Sequence, residues 1–210
     1  MKRYTPAGRQ KSKKMMLEHL KKYRVVLASN SPRRKELLRG LGVDFEVRTL
    51  PDVSESYPAH LQKGEIPEYI SKEKADAYRS LLRPDELIIT ADTIVWLDGE
   101  VLGKPGGRDE AVEMLRKLSG KTHQVYTGVT LTTTEWQRSF HAETNVHFAV
   151  LSEEDIRHYV DACRPYDKAG AYGVQEWIGY VGVEGLEGSY YNVMGLPVQR
   201  LYRELQALGK

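Results

Sequence analysis

A short basic turn near the start of the chain has the composition of an anion-binding site. Ser29 and Ser31 offer hydroxyl groups, and Arg33, Arg34 and Lys35 follow them closely. Cations are disfavoured at the start of a helix, because the helix dipole already places partial positive charge there. Three cations beside free backbone N–H groups therefore favour a site for phosphate or another anion over a solvated basic turn.

Further along the chain, other charged residues could act on such an anion. Asp92 follows a buried apolar run, where α/β folds place ligand-facing groups, and a carboxylate there can hold Mg²⁺ or activate water. Lys104 lies in a glycine-flanked loop that could close on a phosphate. The plainer alternatives are a turn cap for Asp92 and an exposed loop lysine for Lys104. With Arg33, Lys74 and Glu55 they make up the inventory expected for a Mg²⁺-bound polyphosphate.

These side chains need a scaffold, and the pattern around the basic turn predicts a strand, a tight turn and a helix. Residues 23–27 read as a short buried strand. Ser31 is a good N-cap, and Pro32 suits the first helical position. Leucines at helical spacing follow.

The remaining elements are predicted from periodicity and from turn residues. In chain order they are an edge strand over 45–48, a helix over 67–82, a buried strand over 87–90 with Asp92 at its end, a hairpin over 94–102, a helix over 109–118, paired strands over 124–134 and 138–151, a helix from Ser152 to Cys163, a glycine-rich region over 170–195 and a helix over 197–208. This order predicts an α/β fold with a mixed sheet, arranged as two lobes with a cleft between them.

Composition limits the class of protein. The 210 residues are 40% hydrophobic and 29% charged, which is typical of a globular protein. No apolar run approaches the roughly 20 residues of a membrane span. Cys163 is the single cysteine, so no intramolecular disulfide is possible, and we expect a cytoplasmic protein without a membrane partner.

The charge is unevenly distributed. Residues 1–24 hold nine Lys or Arg and one acidic residue, Glu18, whereas the net charge of the whole chain is only +2. We therefore divide the chain into a basic leader, residues 1–22, and a domain, residues 23–210. The leader could contact nucleic acid. The favoured alternatives are a partly disordered leader, or upstream sequence before an initiation near Met15 or Met16.

Two familiar site patterns are absent from the sequence. Gly120-Lys121-Thr122 resembles the end of a P-loop, but the position that should carry the first glycine is Leu115, inside a predicted helix. No HExxH or Cys–His metal pattern occurs either. His123 near this turn is expected to have a supporting role at most.

The ordered motifs resemble those of the Maf family of nucleoside triphosphate pyrophosphatases, also called septum-formation proteins. The matching segments run from Leu27 to Pro197. They are Leu27 to Arg34, Asp52 to Glu55, Glu73 to Ala75, Ala91 to Thr93, Gly103 to Pro105, Ser119-Gly120 with His123, Asp167 to Tyr172 with Gln175, and Gly188 to Tyr190 through Gly195 to Pro197. One departure is Glu176, where many members have Gly.

The resemblance implies an activity, a fold and a set of site residues. Members hydrolyse a nucleoside triphosphate at the α–β bond, need a divalent metal such as Mg²⁺ or Mn²⁺, are often dimers, and have an elongated mixed sheet with a deep cleft like that of the inosine triphosphatases. Asp92 matches the proton acceptor, and Glu55 and Asp92 are expected to lie near the metal. Matches to the substrate-binding positions are Ser29, Arg33, Arg34, Glu55, Lys74, Thr93, Lys104 and Gln175.

The resemblance also favours a substrate. The branch that prefers 7-methylguanosine triphosphate tends to lack the first Arg after Ser-Pro, the Ala-Asp-Thr triplet and the run from Asp167 to Gln175, and this chain keeps all three. We therefore expect dTTP and UTP as substrates, in a house-cleaning or division-linked role. The alternatives are a non-catalytic division regulator, a nucleic-acid binder or a 7-methyl-GTP pyrophosphatase.

Overall fold

The computed structural model describes residues 17–51 and 53–208. The strands are β1 (Arg24–Leu27), β2 (Glu46–Val47), β3 (Glu86–Leu97), β4 (Glu100–Leu102), β5 (Thr122–Thr132), β6 (Gln137–Phe148) and β7 (Val183–Glu187). The helices are α1 (Pro32–Gly40), α2 (Glu65–Asp76), α3 (Arg108–Leu118), α4 (Glu153–Cys163), α5 (Trp177–Gly182), α6 (Tyr190–Val193) and α7 (Val198–Ala207), with 3₁₀ turns at Glu18–Lys22, Arg79–Leu81 and Ala169–Ala171.

The seven strands of the described residues belong to one mixed sheet. Its order is β2-β1-β3-β5-β6-β7, and β4 pairs with β3. β1 runs parallel to β2 and β3, whereas β3, β5, β6 and β7 pair antiparallel in succession. This arrangement confirms the α/β fold with a mixed sheet that the sequence predicts.

The long strand β3 has a gap along one of its edges. On that edge β1 pairs with Glu86–Ile89, and β4 pairs with Val95–Leu97. Between these two ladders neither strand pairs with residues 90–94, while β5 pairs along the opposite edge. Asp92 and Thr93 lie in this gap, and their side chains point to opposite faces of the sheet.

The prediction that Asp92 lies at the end of a strand is wrong. β3 continues past Asp92 to Leu97, because β5 pairs with it throughout, and Asp92 faces Gly128 in that ladder. What ends near Asp92 is the parallel neighbour β1, not β3 itself. The site still lies beyond the carboxyl end of a parallel strand, as α/β folds favour.

Two hydrophobic clusters on one face of the sheet correspond to the two predicted lobes. One contains Leu87, Ile89 and Ala91 of β3 and packs against α1 and α7. The other contains Val95 and Leu97 of β3 and packs against α3 and α4. Thr93 falls between them, so the space between the two clusters is a cleft that reaches the gap in β3.

Helix α2 covers the other face of the sheet at an unusually close approach. Ile66 and Ile70 of α2 pack on Ile94 and Tyr126. A Cβ atom at Gly128 would lie 2.2 Å from the carbonyl carbon and oxygen of Pro67. The absence of a side chain at Gly128 therefore sets the distance between α2 and the sheet.

We expect Gly128→Ala to destabilise the protein by about 2–3 kcal/mol or more, since the new methyl group would meet helix backbone that cannot rotate away. Urea unfolding would measure the change. Gly40→Ala is the matched control, because a Cβ there meets no heavy atom within 4 Å and should be neutral or slightly stabilising. Equal unfolding free energies for the two variants would contradict the close-packing argument.

Several local predictions are confirmed with shifted ends. Ser31 caps α1 by accepting from the N–H of Arg34, and Ser152 caps α4 in a capping box with Asp155. The helix predicted over 67–82 ends at Asp76 and is followed by a 3₁₀ turn. Strand β7 in the glycine-rich region was not predicted. Among the described residues, no helix is both long and apolar enough to cross a membrane.

The predicted leader falls mostly outside the described residues. Of residues 1–22, the structure describes 17–22, where Leu20 is buried against the cluster under α1 and α7. The boundary between a leader and a domain at residues 22 and 23 stays a prediction.

Candidate active site

The cleft is a cavity of about 610 Å³ that the two lobes and α2 enclose. All nine residues predicted from the sequence line it, although they come from six separate segments of the chain. They are Ser29, Arg33, Arg34, Glu55, Lys74, Asp92, Thr93, Lys104 and Gln175.

Lys74 joins two carboxylates at one end of the cavity. Its Nζ lies 2.7 Å from Asp92 Oδ1 and 2.7 Å from Glu55 Oε1. The side chains of Lys74 and Asp92 are only 17% and 12% exposed, so water screens this pair weakly. Lys104 reaches the other oxygen of Glu55 at 3.5 Å from across the cleft.

The charges around Glu55 keep it ionised. Burial alone would raise the pKa of the Glu55 carboxyl, but hydrogen bonds and charges from Lys74 and Lys104 outweigh burial and lower that pKa below its ordinary value. Glu55 therefore stays negative at neutral pH. Lys74 gives the site a cation that orients both carboxylates.

The donor set fits a hard divalent metal that shares its ligands with a substrate. Glu55 and Asp92 direct oxygens at one common point, now occupied by the Lys74 ammonium group. Among the described residues no group of three or more His, Cys, Asp or Glu could hold a metal. Mg²⁺ is typically bound by one or two carboxylates together with phosphate oxygens and water. Two carboxylates meet that requirement.

Arg34 is held by protein acceptors on three sides. Its guanidinium donates to the carbonyl of Ala91 at 2.9 Å, the hydroxyl of Thr93 at 3.0 Å and the carbonyl of Gly195 at 2.8 Å. Burial lowers its pKa, and the nearby Asp92 opposes that shift. Arg34 thus joins α1, the gap in β3 and the segment after α6. Its guanidinium, which the sequence suggested for phosphate binding, instead makes hydrogen bonds that connect the walls of the cleft.

Arg33 also lines the cleft, where it contacts the segment that follows α4. Its Nη1 donates to Asp167 Oδ2 at 3.3 Å, which links α1 to the segment after α4. Lys168 Nζ lies 2.8 Å from the other oxygen of Asp167. Burial raises the pKa of Asp167, but Lys168 and Arg33 outweigh it, so this pKa is lowered overall. An incoming anion would compete with Asp167 for Arg33.

Gln175 lines the same cavity as Lys74. Its amide oxygen is shielded from solvent and has no hydrogen-bond partner within the described part of the chain. His123 lies behind this wall, with its Nε2 2.7 Å from the hydroxyl of Tyr172. Burial lowers the pKa of His123 to about 3. The imidazole therefore stays neutral and supports Tyr172, in line with the supporting role expected for it.

Sequence reasoning did not assign roles to two acidic residues beside the cavity wall. Asp167 pairs with Arg33, and Glu176 pairs with Lys168 at 3.0 Å. The motif from Asp167 to Gln175 could have drawn attention to the first. Nothing in the sequence indicates that Tyr159, on α4, donates a hydrogen bond to Glu176.

The fold belongs to the α/β class, with a central mixed sheet flanked by helices. The chain shares its fold with a Ham1 protein from Staphylococcus aureus, with a TM-score of 0.52 and 16% identity over 88% of this chain and 99% of that chain. This likeness supports the α/β fold with a mixed sheet.

The chain belongs to the Maf family. The family model described as "Maf-like protein" matches residues 24–208. A protein from Bacteroides thetaiotaomicron named dTTP/UTP pyrophosphatase is 72% identical over 92% of this chain and 100% of its own length. A protein of the same name from Porphyromonas gingivalis is 54% identical over 93% of this chain and 99% of its own length. These names agree with the activity and the branch that the sequence resemblance implies.

Proposed function

We propose that this protein hydrolyses dTTP and UTP at the α–β bond, releasing the nucleoside monophosphate and pyrophosphate. The observation that carries the proposal is one cavity that holds a carboxylate centre, cationic side chains and an amide oxygen with no hydrogen-bond partner among the described residues. The chain is also 72% identical to a protein named dTTP/UTP pyrophosphatase. The cavity volume of about 610 Å³ is within the range of small-molecule sites.

The triphosphate would lie between the two lobes. Arg33 and Lys104 face the cleft from opposite sides, and each is paired with a carboxylate that phosphate oxygens could replace. Arg33 can contact two phosphate oxygens at once, whereas Lys104 acts as a point charge on a loop. The N–H groups at the start of α1 add donors at its positive end.

Asp92 would act as the general base. It takes a proton from the attacking water as the oxygen bonds to the α-phosphorus, and the bond from that phosphorus to the bridging oxygen breaks to release pyrophosphate. Lys74 Nζ lies 2.7 Å from Asp92 Oδ1, which orients this carboxylate before the substrate binds. Ser29 and Thr93 line the same cavity and would contact the substrate.

A divalent metal, Mg²⁺ or Mn²⁺, would be held by Glu55 and Asp92. When bound, such an ion neutralises phosphate charge and polarises the phosphoryl oxygens. Lys74 already balances both carboxylates, so it would move to a phosphate oxygen when the metal and the nucleotide are present.

Gln175 would read the base. An amide can accept from the N3–H of uracil or thymine and donate to the 4-carbonyl, whereas cytosine presents a different pattern on that edge. A site built on such hydrogen bonds can discriminate strongly against a mismatched edge.

The test is pyrophosphate release by the purified protein with Mg²⁺ or Mn²⁺ and a panel of dTTP, UTP, CTP and 7-methyl-GTP. We expect kcat/KM for dTTP and UTP to exceed the other two by roughly tenfold or more. Equal values for CTP or 7-methyl-GTP would exclude the pyrimidine preference. No pyrophosphate release from any nucleotide would exclude the activity.

For Arg33→Ala we expect a higher KM and a lower kcat, because a bidentate phosphate contact can strengthen as charge shifts in the transition state. Arg33→Lys should restore activity only in part, since an ammonium group cannot reproduce the planar fork. Arg39→Ala is the control, because Arg39 is exposed on the same helix and does not line the cavity. Full activity of Arg33→Lys would mean that net charge alone matters.

The cytoplasmic location and a homodimer stay predictions. The nucleotide substrate is the partner that the cleft and the relatives support. Nucleic acid is a further candidate partner, for the basic leader, and it is the less favoured one.

A further inference from the structure

The residue proposed to read the base lies on a closed turn. The N–H of Glu176 donates to the carbonyl of Gly173 at 2.9 Å, which closes a four-residue β-turn over residues 173–176. Gln175 is the third residue of this turn. Its amide direction therefore depends on how firmly the turn is held.

One buried hydroxyl contacts both ends of the turn. Tyr159 on α4 is fully buried, and its hydroxyl accepts from the N–H of Gly173 at 3.0 Å and donates to the carboxylate of Glu176. Burial and the Glu176 charge raise the pKa of Tyr159, so the hydroxyl keeps its proton and remains a donor. Lys168 holds the other oxygen of Glu176 at 3.0 Å.

The turn also has no room for a side chain at its first residue. A Cβ atom at Gly173 would lie 2.9 Å from the amide nitrogen of Gln175 and 2.9 Å from the carboxylate carbon of Glu176. The Gln175 amide thus packs directly on the backbone of Gly173. A methyl group at Gly173 would therefore displace the Gln175 amide or the Glu176 carboxylate.

We propose that Tyr159 and Gly173 are positioning residues that fix the Gln175 amide and so set the preference for uracil and thymine over cytosine. The inference rests on the proposed function. A free amide could rotate by half a turn and present the complementary pattern to cytosine. Bracing of the turn by Tyr159 holds Gln175 at one position in the cavity wall, and the absence of a side chain at Gly173 leaves room for its amide there. A turn without this bracing would let the amide shift and adapt to cytosine.

The test is the ratio of kcat/KM for UTP to that for CTP, measured with thermal unfolding of each variant. Tyr159→Phe keeps the ring but removes both hydrogen bonds, and Gly173→Ala displaces the amide while leaving Tyr159 in place. We expect each to lower the ratio about tenfold, with kcat for UTP reduced by a smaller factor. Two variants keep the test decisive if one of them fails to fold.

The controls separate positioning from general loss of packing. Tyr126→Phe removes a hydroxyl from another buried tyrosine, on the α2 face and outside this cavity, and Gly40→Ala adds a methyl group in open space. Both should keep the wild-type ratio. If the wild type is active and prefers UTP, a ratio that differs from the wild-type ratio by less than twofold in both test variants would overturn the inference alone. A wild type that shows no preference, or no hydrolysis, would overturn the proposed function and the inference together.

Discussion

Asp92→Asn should lower kcat by about 10² or more while nucleotide binding largely survives. The amide has nearly the same shape as the carboxylate but cannot take a proton from water. The fold should be retained, because Asp92 is held in mid-strand by its backbone pairing with Gly128 and Lys74 keeps Glu55 as a partner. Steady-state kinetics on UTP, with binding of UTP measured separately, would check this.

Asp98→Asn is the matched control for this substitution. Asp98 follows β3 at the turn into β4, where it pairs with Lys121 on the surface. Its φ of 51° lies in the left-handed region, which Asn also tolerates. We expect wild-type kcat for this variant. Wild-type kcat for Asp92→Asn would remove Asp92 from the mechanism.

Lys74→Met should lower kcat/KM by about 10²-fold, comparable with the loss of one preorganised donor in an active site. Met keeps the length of the side chain but leaves Glu55 and Asp92 without their shared cation. Because Lys74 is the main group that lowers the pKa of Glu55, that pKa should rise in the variant. The acidic limb of the pH–activity profile should therefore move to higher pH.

The profile of kcat/KM against pH would measure this shift. Glu55 acts in its ionised form, so activity is lost as pH falls through its folded-state pKa, and a higher pKa brings that loss nearer to neutrality. Lys72→Met is the control, since Lys72 pairs with Asp76 on the exposed side of the same helix. An unshifted acidic limb in Lys74→Met would mean that Glu55 ionisation does not limit activity.

Much of the cleft could be predicted, because its residues stand in short local motifs. The strand, turn and helix around Ser31 follow from capping and apolar spacing, which act within a few residues. The charge types near Asp92 and Lys104 suggested a polyphosphate, and the family resemblance supplied the reaction. The structure brings all nine predicted residues to one cavity, while their individual roles stay proposals.

The position of Asp92 could not be predicted from local pattern. The apolar run before it looks like a complete strand, and a polar triplet after such a run is typical of a strand end. β3 instead continues because β5 supplies hydrogen bonds along the whole edge. That pairing joins residues 28 (Trp96 and Gln124) to 44 (Ile88 and Thr132) positions apart, and the spacing of apolar residues within one segment does not reveal it.

The sequence by itself determined the α/β class, the elements around Ser31 and Ser152 and the identity of the cleft residues, because capping, spacing and motif order are local properties of the chain. Only the tertiary structure decided that the site occupies a gap between β1 and β4, that Arg34 is committed to Ala91, Thr93 and Gly195, and that Tyr159 braces the turn carrying Gln175. Each of these depends on hydrogen bonds between separate elements, for example 14 positions apart for Tyr159 and Gly173 and 161 for Arg34 and Gly195, so the packed fold selects the partners.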